Sequence, residues 1–225
     1  MNTEQIKKLI YEENRDKFDR FFSLLTKYNE KFNLTAIKEE KEVFEKHFLD
    51  SATGIFLLPK GAKCIEIGSG GGFPSMVLKL LRDDLTFTLV ESVGKKCEFL
   101  RVIVDNFSLQ GVDILNTRAE TLAKEENHRE KYDVAVARAV ARMNTLSEYL
   151  LPFVKVGGMM VAYKGEREEI DEAQNAIKTL GGALREVIPY RVEGADNHCL
   201  VVVDKIKRTP PLYPRGNGKE RSKPL

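Results

Sequence analysis

The sequence predicts an α/β fold: a mostly parallel β-sheet with helices on both faces, a C-terminal antiparallel hairpin, and helices ahead of the first strand. Three observations predict it. Short β-rich runs alternate with helical ones from residue 63 to residue 164, which is the pattern of successive βαβ units. A glycine-rich turn, Gly68-Ser69-Gly70-Gly71-Gly72, joins the first strand to the first helix of that series. The last two strand-like runs are separated by a loop too short for a crossover, so they pair antiparallel.

Residues 1–60 read as a helical region. Phe18, Phe21, Phe22, Leu25, Tyr28 and Phe32 recur at spacings of three and four, the stripe of a helix with one buried face. Asn33-Leu34-Thr35 interrupts it, and a second helix is expected over 39–57, ended by Pro59-Lys60-Gly61. His47 on that helix reads as a hydrogen-bonded packing residue.

Residues 61–204 form the main domain. Strands are expected at 63–67, 86–91, 112–116, 133–137 and 159–164. Helices are expected at 74–81, 95–109, 122–126, 144–150 and 166–180, and the hairpin at 184–192 and 198–204. Residues 205–225 form a tail with seven basic side chains, one acid and four of the eight prolines. The body that precedes it is net acidic. Such a tail suits a phosphate-contacting arm or a solubilising terminus.

Composition bounds the function. Hydrophobic residues make up 42% and charged residues 31% of the chain, a globular balance. No apolar run approaches the ~18–20 residues of a membrane span, and Met1-Asn2-Thr3-Glu4-Gln5 lacks the order of a signal peptide. Cys64, Cys97 and Cys199 make no C-x-x-C pair, against a disulfide framework or a structural zinc site. The expected compartment is the cytoplasm.

The glycine turn carries the chemistry. It lets the backbone approach a ligand at the carboxyl end of the first strand. Glu66 stands inside that strand, where a dinucleotide fingerprint has an apolar residue. The spacing is G-x-G-x-x-F, so Phe73 replaces the third glycine of that fingerprint, and no G-K-[ST] marks a triphosphate loop. Gly68 and Gly70 are therefore cofactor candidates. Glu91 ends the second strand and is placed to accept ribose hydroxyls. Ala119 and Glu120 follow the third strand, at the adenine edge; alternatively Glu120 caps the next helix.

In order along the chain, the motifs are Asn33-Leu34-Thr35, His47-Phe48-Leu49-Asp50-Ser51, Glu66 to Pro74, Gly94-Lys95-Lys96, and Arg118-Ala119-Glu120. Ala137-Arg138-Ala139-Val140-Ala141, Tyr163-Lys164-Gly165, Tyr213-Pro214-Arg215 and Lys223-Pro224-Leu225 follow. With these motifs the chain resembles the bacterial 16S rRNA guanine-N7 methyltransferase G family, also called the glucose-inhibited division protein B family. Two positions depart: Gly71 stands where many members have proline, and Asn197-His198 where Arg-His is expected.

The resemblance implies a class I, Rossmann-like sheet and an enzyme dependent on S-adenosylmethionine (SAM). It also implies 16S rRNA or the small ribosomal subunit as partner. Carried over by position, Gly68, Phe73, Ala119, Glu120 and Arg138 contact the cofactor. Lys164, Arg215 and Lys219 are candidate RNA contacts. A monomer without metal or membrane attachment is expected. Guanine N7 is a bare lone pair, so the reaction needs alignment rather than a general base, and no acid–base pair is named. Residues 136–139 read Val-Ala-Arg-Ala, not the D/N-P-P-aromatic motif of amine methylases. No cysteine is placed as a nucleophile for pyrimidine C5. Two other readings are an NAD(P)-binding oxidoreductase, for which no proton-donor constellation is visible, and a non-catalytic RNA-binding module that works through its tail.

Overall fold

The computed structural model describes residues 3–165, 169–192 and 195–225. Seven strands form one sheet: β1 (Lys63–Ile67), β2 (Thr86–Glu91), β3 (Val112–Asn116), β4 (Tyr132–Arg138), β5 (Val154–Lys164), β6 (Gly182–Val192) and β7 (Ala195–Lys205). Their order is β3-β2-β1-β4-β5-β7-β6. The first five strands pair in parallel, whereas β7 pairs antiparallel with both β5 and β6. Strand order reverses between β1 and β4, and a ligand crevice is expected outside the carboxyl ends of strands at such a point. β1 to β3 coincide with the expected runs; β4 to β7 extend beyond theirs.

Alternation along each strand feeds two cores. Cys64, Val134, Val136, Met159 and Val161 face one layer, which also contains Phe18, Phe21, Phe44 and Phe48 from the helices ahead of β1. Ile65, Ala135, Ala137, Met160 and Ala162 face the other, under the helix Met143–Leu150. This two-residue period is that of strands buried on both faces. The helices before β1 therefore share a core with the sheet.

The helix Arg15–Phe32 buries Phe18, Phe21 and Leu25 as the stripe required. The expected helix over 39–57 is not one regular helix. Glu40–Val43 passes into a π-helical turn, Phe44–Leu49, then Asp50–Ala52, and a 3-10 turn Ile55–Leu57. A sequence stripe cannot register the extra residue of a π turn, a feature frequent at functional sites. The helix expected over 122–126 is instead Ala119–Leu122, starting directly after β3. Lys124, Glu125 and Glu126 beyond it are exposed and bury no apolar face to sustain a helix. Of the run 166–180, residues 166–168 lie outside the described residues; Glu169–Glu172 and Gln174–Thr179 are helical. Of the hairpin loop, 193 and 194 lie outside them.

The tail is folded onto the body. The Lys205 side chain is fully buried and its ammonium donates to the Leu151 carbonyl at 2.6 Å, with Glu130 at 3.3 Å. The Arg129 guanidinium donates to the carbonyls of Thr209 (2.9 Å) and Tyr213 (2.8 Å). Arg215 holds Glu148 through two nitrogens, at 2.7 and 3.0 Å. Charge composition left open a phosphate-contacting arm or a solubilising terminus; Glu130 and Glu148 hold two of the tail's cations, Lys205 and Arg215, and the other five basic side chains are exposed.

Candidate functional site: two cavities at the switch point

The glycine turn begins where β1 ends. Gly68 donates its N–H to the Val90 carbonyl at 2.8 Å, stitching the turn to the end of β2. Its φ is +72°, and a Cβ there would sit 2.9 Å from the Val140 side chain. Gly72, at φ +87°, would likewise meet Met76 at 2.7 Å. Side chains are excluded at both positions by conformation and by space.

Glu91 is buried, and its carboxylate accepts the N–H groups of Gly70 (3.0 Å) and Val93 (2.8 Å). It braces the turn and keeps acceptor capacity for a further donor. Glu66 is fully buried, and neither of its carboxylate oxygens has a hydrogen-bond partner among the described residues. Burial pushes its pKa up to about 8, opposed by the neighbouring Ser75 and Ser69 hydroxyls. An unpartnered acid beneath a glycine turn is a group that awaits a donor.

Above the turn lies a cavity of about 310 Å³. Gly68, Ala119 and Glu120, three residues the resemblance singled out, line it together with Val140. Glu120 forms an ion pair with Arg118 at 3.7 Å. The cavity is also walled by Tyr149, Gly218 and Arg221, which the sequence did not single out. These residues fit the implied cofactor: a backbone cradle at Gly68, a polar edge at Glu120, and the orphaned Glu66 carboxyl below.

A second cavity, of about 420 Å³, opens beside the first and is lined by Asp50, Arg138, Lys164 and His198 among others. Asp50 organises it. One carboxylate oxygen accepts the Tyr190 hydroxyl and His198 Nδ1, both at 2.8 Å; the other accepts Arg138 Nη1, also at 2.8 Å. Burial raises the Asp50 pKa, but these three donors outweigh it and hold the carboxyl below its usual range. Arg138 donates in addition to the Lys46 carbonyl and to His47 Nδ1, each at 2.8 Å. His47 is lowered to about 4 by burial and by the Arg138 charge, so it is neutral at pH 7. With Nδ1 accepting, its Nε2 proton points to the Thr35 hydroxyl at 2.7 Å.

The expected site residues thus divide. Gly68, Ala119 and Glu120 line the first cavity; Gly70 and Glu91 are bonded to each other and are not among its lining residues. Phe73 packs between Phe21 and His47, with ring centroids at 5.6 and 4.5 Å. Arg138 turns its guanidinium into the second cavity, not the first, because Asp50 captures it. Lys164 sits at that cavity and donates to the Ala141 carbonyl at 3.0 Å. Arg215 is bound to Glu148, away from solvent, and Lys219 is exposed. Asp50 is the residue that sequence reasoning missed. Its signal was an acid placed among Phe48, Leu49 and Ala52 on an otherwise buried turn.

Comparisons with known proteins bear on the family and on the fold. A family model described as rRNA small subunit methyltransferase G matches residues 14–197. The chain is 45% identical over 219 residues to the ribosomal RNA small subunit methyltransferase G of Lactobacillus delbrueckii subsp. bulgaricus, covering 93% of this chain and 90% of that protein. It is 47% identical over 208 residues to the protein of the same name from Alkaliphilus metalliredigens, covering 90% and 87%. Among solved structures, a ribosomal protein L11 methylase from Lactobacillus delbrueckii subsp. bulgaricus aligns with a TM-score of 0.57 at 10% identity, over 72% of this chain and 79% of that one. A SAM-dependent O-methyltransferase from Thermotoga maritima aligns with a TM-score of 0.54 at 15% identity, over 72% and 66%. Those two likenesses concern the fold, which is the class I methyltransferase fold. On the strength of the sequence matches, the chain belongs to the rRNA small subunit methyltransferase G family.

Proposed function

We propose that this chain transfers a methyl group from SAM to N7 of a guanine in 16S rRNA. One observation carries the reading: two cavities share the turn 138–141 as a common wall, Val140 facing the first and Arg138 and Ala139 the second. A donor seated in one and a base seated in the other meet across that turn.

In this reading Gly68, Gly70, Ala119 and Glu120 hold the adenosine, with Glu91 at the ribose. Glu66, Phe73 and Arg138 border the methionine end. When bound, SAM supplies an electrophilic methyl on a sulfonium. The chain's residues bind, orient and exclude water; none has to remove a proton, because N7 has none to lose. The second cavity agrees with that chemistry. Asp50 is held ionised by three donors. Burial raises the Tyr190 and Tyr163 hydroxyls far above neutrality, so both remain protonated donors. Alignment of this kind supplies roughly 7–11 kcal/mol of a barrier.

Lys164 and Lys219 contact the RNA, and Arg215 serves by holding the tail in place. The working unit is a cytoplasmic monomer in three parts, 1–60, 61–204 and 205–225, acting on 16S rRNA or the small subunit. Among the described residues, no helix is long and apolar enough to cross a membrane and no group of His, Cys, Asp and Glu is arranged for a metal ion. The test is transfer of labelled methyl from SAM to small subunits prepared from cells lacking this protein, followed by mass mapping of the modified base. N7-methylguanine at one position is expected. SAM binding without transfer would overturn the substrate assignment.

A further inference from the structure

We propose that the C-terminal segment completes the cofactor site, with Arg221 as a cofactor-binding residue. This rests on reading the Gly68–Glu120 cavity as the donor's seat. The resemblance names Arg215 and Lys219 as candidate RNA contacts and gives Arg221 no role.

The segment is built into place. Arg215 grips Glu148, whose side chain is 1% exposed, while the Arg215 backbone N–H adds a bond to the same carboxylate at 2.8 Å. The Thr145 hydroxyl donates to the Glu220 carbonyl at 2.8 Å, and the buried Glu220 carboxylate accepts the Gly216 N–H. Thr145, Glu148 and Tyr149 all lie on the helix Met143–Leu150. That helix is thereby the platform on which the short helix Lys219–Ser222 stands.

The platform sets the direction of each tail residue. Gly218 and Arg221, three apart, face the cavity. The Arg221 guanidinium also bonds the Tyr149 hydroxyl, which counters the upward push of burial on that phenol. Lys219 and Lys223 are exposed. Ala119 and Glu120 line the same cavity as Arg221. A planar guanidinium is suited to lie against the face of an adenine ring, and Gly218 leaves room for it.

The test is calorimetric titration of the full-length protein with S-adenosylhomocysteine. Four proteins are compared: wild type, Arg221→Ala, Gly68→Val and Arg208→Ala. Arg221 is exposed at the surface, so its variant is expected to keep the wild-type circular dichroism, with a melting temperature lowered only by loss of the Tyr149 bond. Arg221→Ala should weaken binding about five- to tenfold, the size of a lost guanidinium–ring contact. Arg208→Ala removes an exposed tail charge outside the cavity and should bind as wild type. Wild-type affinity in Arg221→Ala, with binding lost in Gly68→Val, would overturn the proposal and leave the cavity assignment standing. Undiminished binding in Gly68→Val would overturn the cavity assignment itself. Equal weakening in Arg208→Ala and Arg221→Ala would reduce the effect to tail charge and overturn the contact.

Discussion

Asp50 and Glu66 are both carboxylic acids that the fold takes out of water, and they end in opposite states. Asp50 is 1% exposed and accepts from Tyr190, His198 and Arg138; its pKa falls. Glu66 is 0% exposed and has no hydrogen-bond partner among the described residues; its pKa rises to about 8. Burial is common to both, so the donors decide the charge. The acid of the second cavity is already spent on the protein's own side chains. On the proposed reading, the acid under the glycine turn is kept in reserve for a ligand.

The contrast breaks most directly at Asp50. Asp50→Ala leaves the Arg138 guanidinium, 15% exposed, without its counter-charge, and should destabilise the fold by about 3–5 kcal/mol. Glu66→Gln replaces a protonated acid by a neutral amide of the same shape and should cost less than about 1 kcal/mol at pH 6. Urea unfolding of both variants measures this; equal midpoints would abolish the distinction. A third buried carboxylate, Glu148, sharpens it. Arg215→Ala leaves that side chain with the backbone N–H of residue 215 but without the guanidinium, and about 1–3 kcal/mol of stability should go with it, read as a lower melting temperature.

The pH dependence separates the two acids further. Unfolded, Glu66 titrates near its ordinary 4.5; folded, near 8. The folded protein therefore holds the extra proton between those values, and this contribution to stability is lost as pH rises through them. His47 has the opposite sign: lowered from 6.5 to about 4, it favours the fold increasingly as pH rises from 4 to 6.5. The two oppose each other below 6.5; above it Glu66 is opposed only near pH 8, by Lys205, whose pKa burial lowers to about 8. Wild-type stability should therefore fall by about 1–2 kcal/mol between pH 6.5 and 8. Glu66→Gln should be flat over that window, and a wild-type profile that is flat there would refute the reserved proton. The smallest effect is stoichiometric. If the ammonium of SAM approaches Glu66, binding at pH 7 releases part of a proton. Calorimetry in buffers of different ionisation enthalpy detects it, and Glu66→Gln should abolish it.

What the residues disclosed in advance is what depends on near neighbours. The strand 63–67, the turn at 68–72 and the acid at 91 lie within one βαβ unit, and local period and spacing place them. Asp50 joins Arg138 across 88 residues and His198 across 148; no periodicity encodes such a pairing. The π turn Phe44–Leu49 adds to the difficulty, since it shifts Asp50 out of the helical register that the apolar stripe implies. The docking of the tail was illegible for the same reason. Its charge was countable, but which cations are captured depends on Glu130 and Glu148, far away in sequence.

The docked tail has a consequence for how the protein is made. Residues 68 and 119 leave the ribosome long before residue 221, so a nascent chain has the floor and one side of the donor's seat while the other side is still unsynthesised. On the proposed reading, a chain not yet extended to residue 221 would hold SAM about five- to tenfold more weakly, and the grip would tighten once Arg221 docks beside Tyr149 on the helix Met143–Leu150.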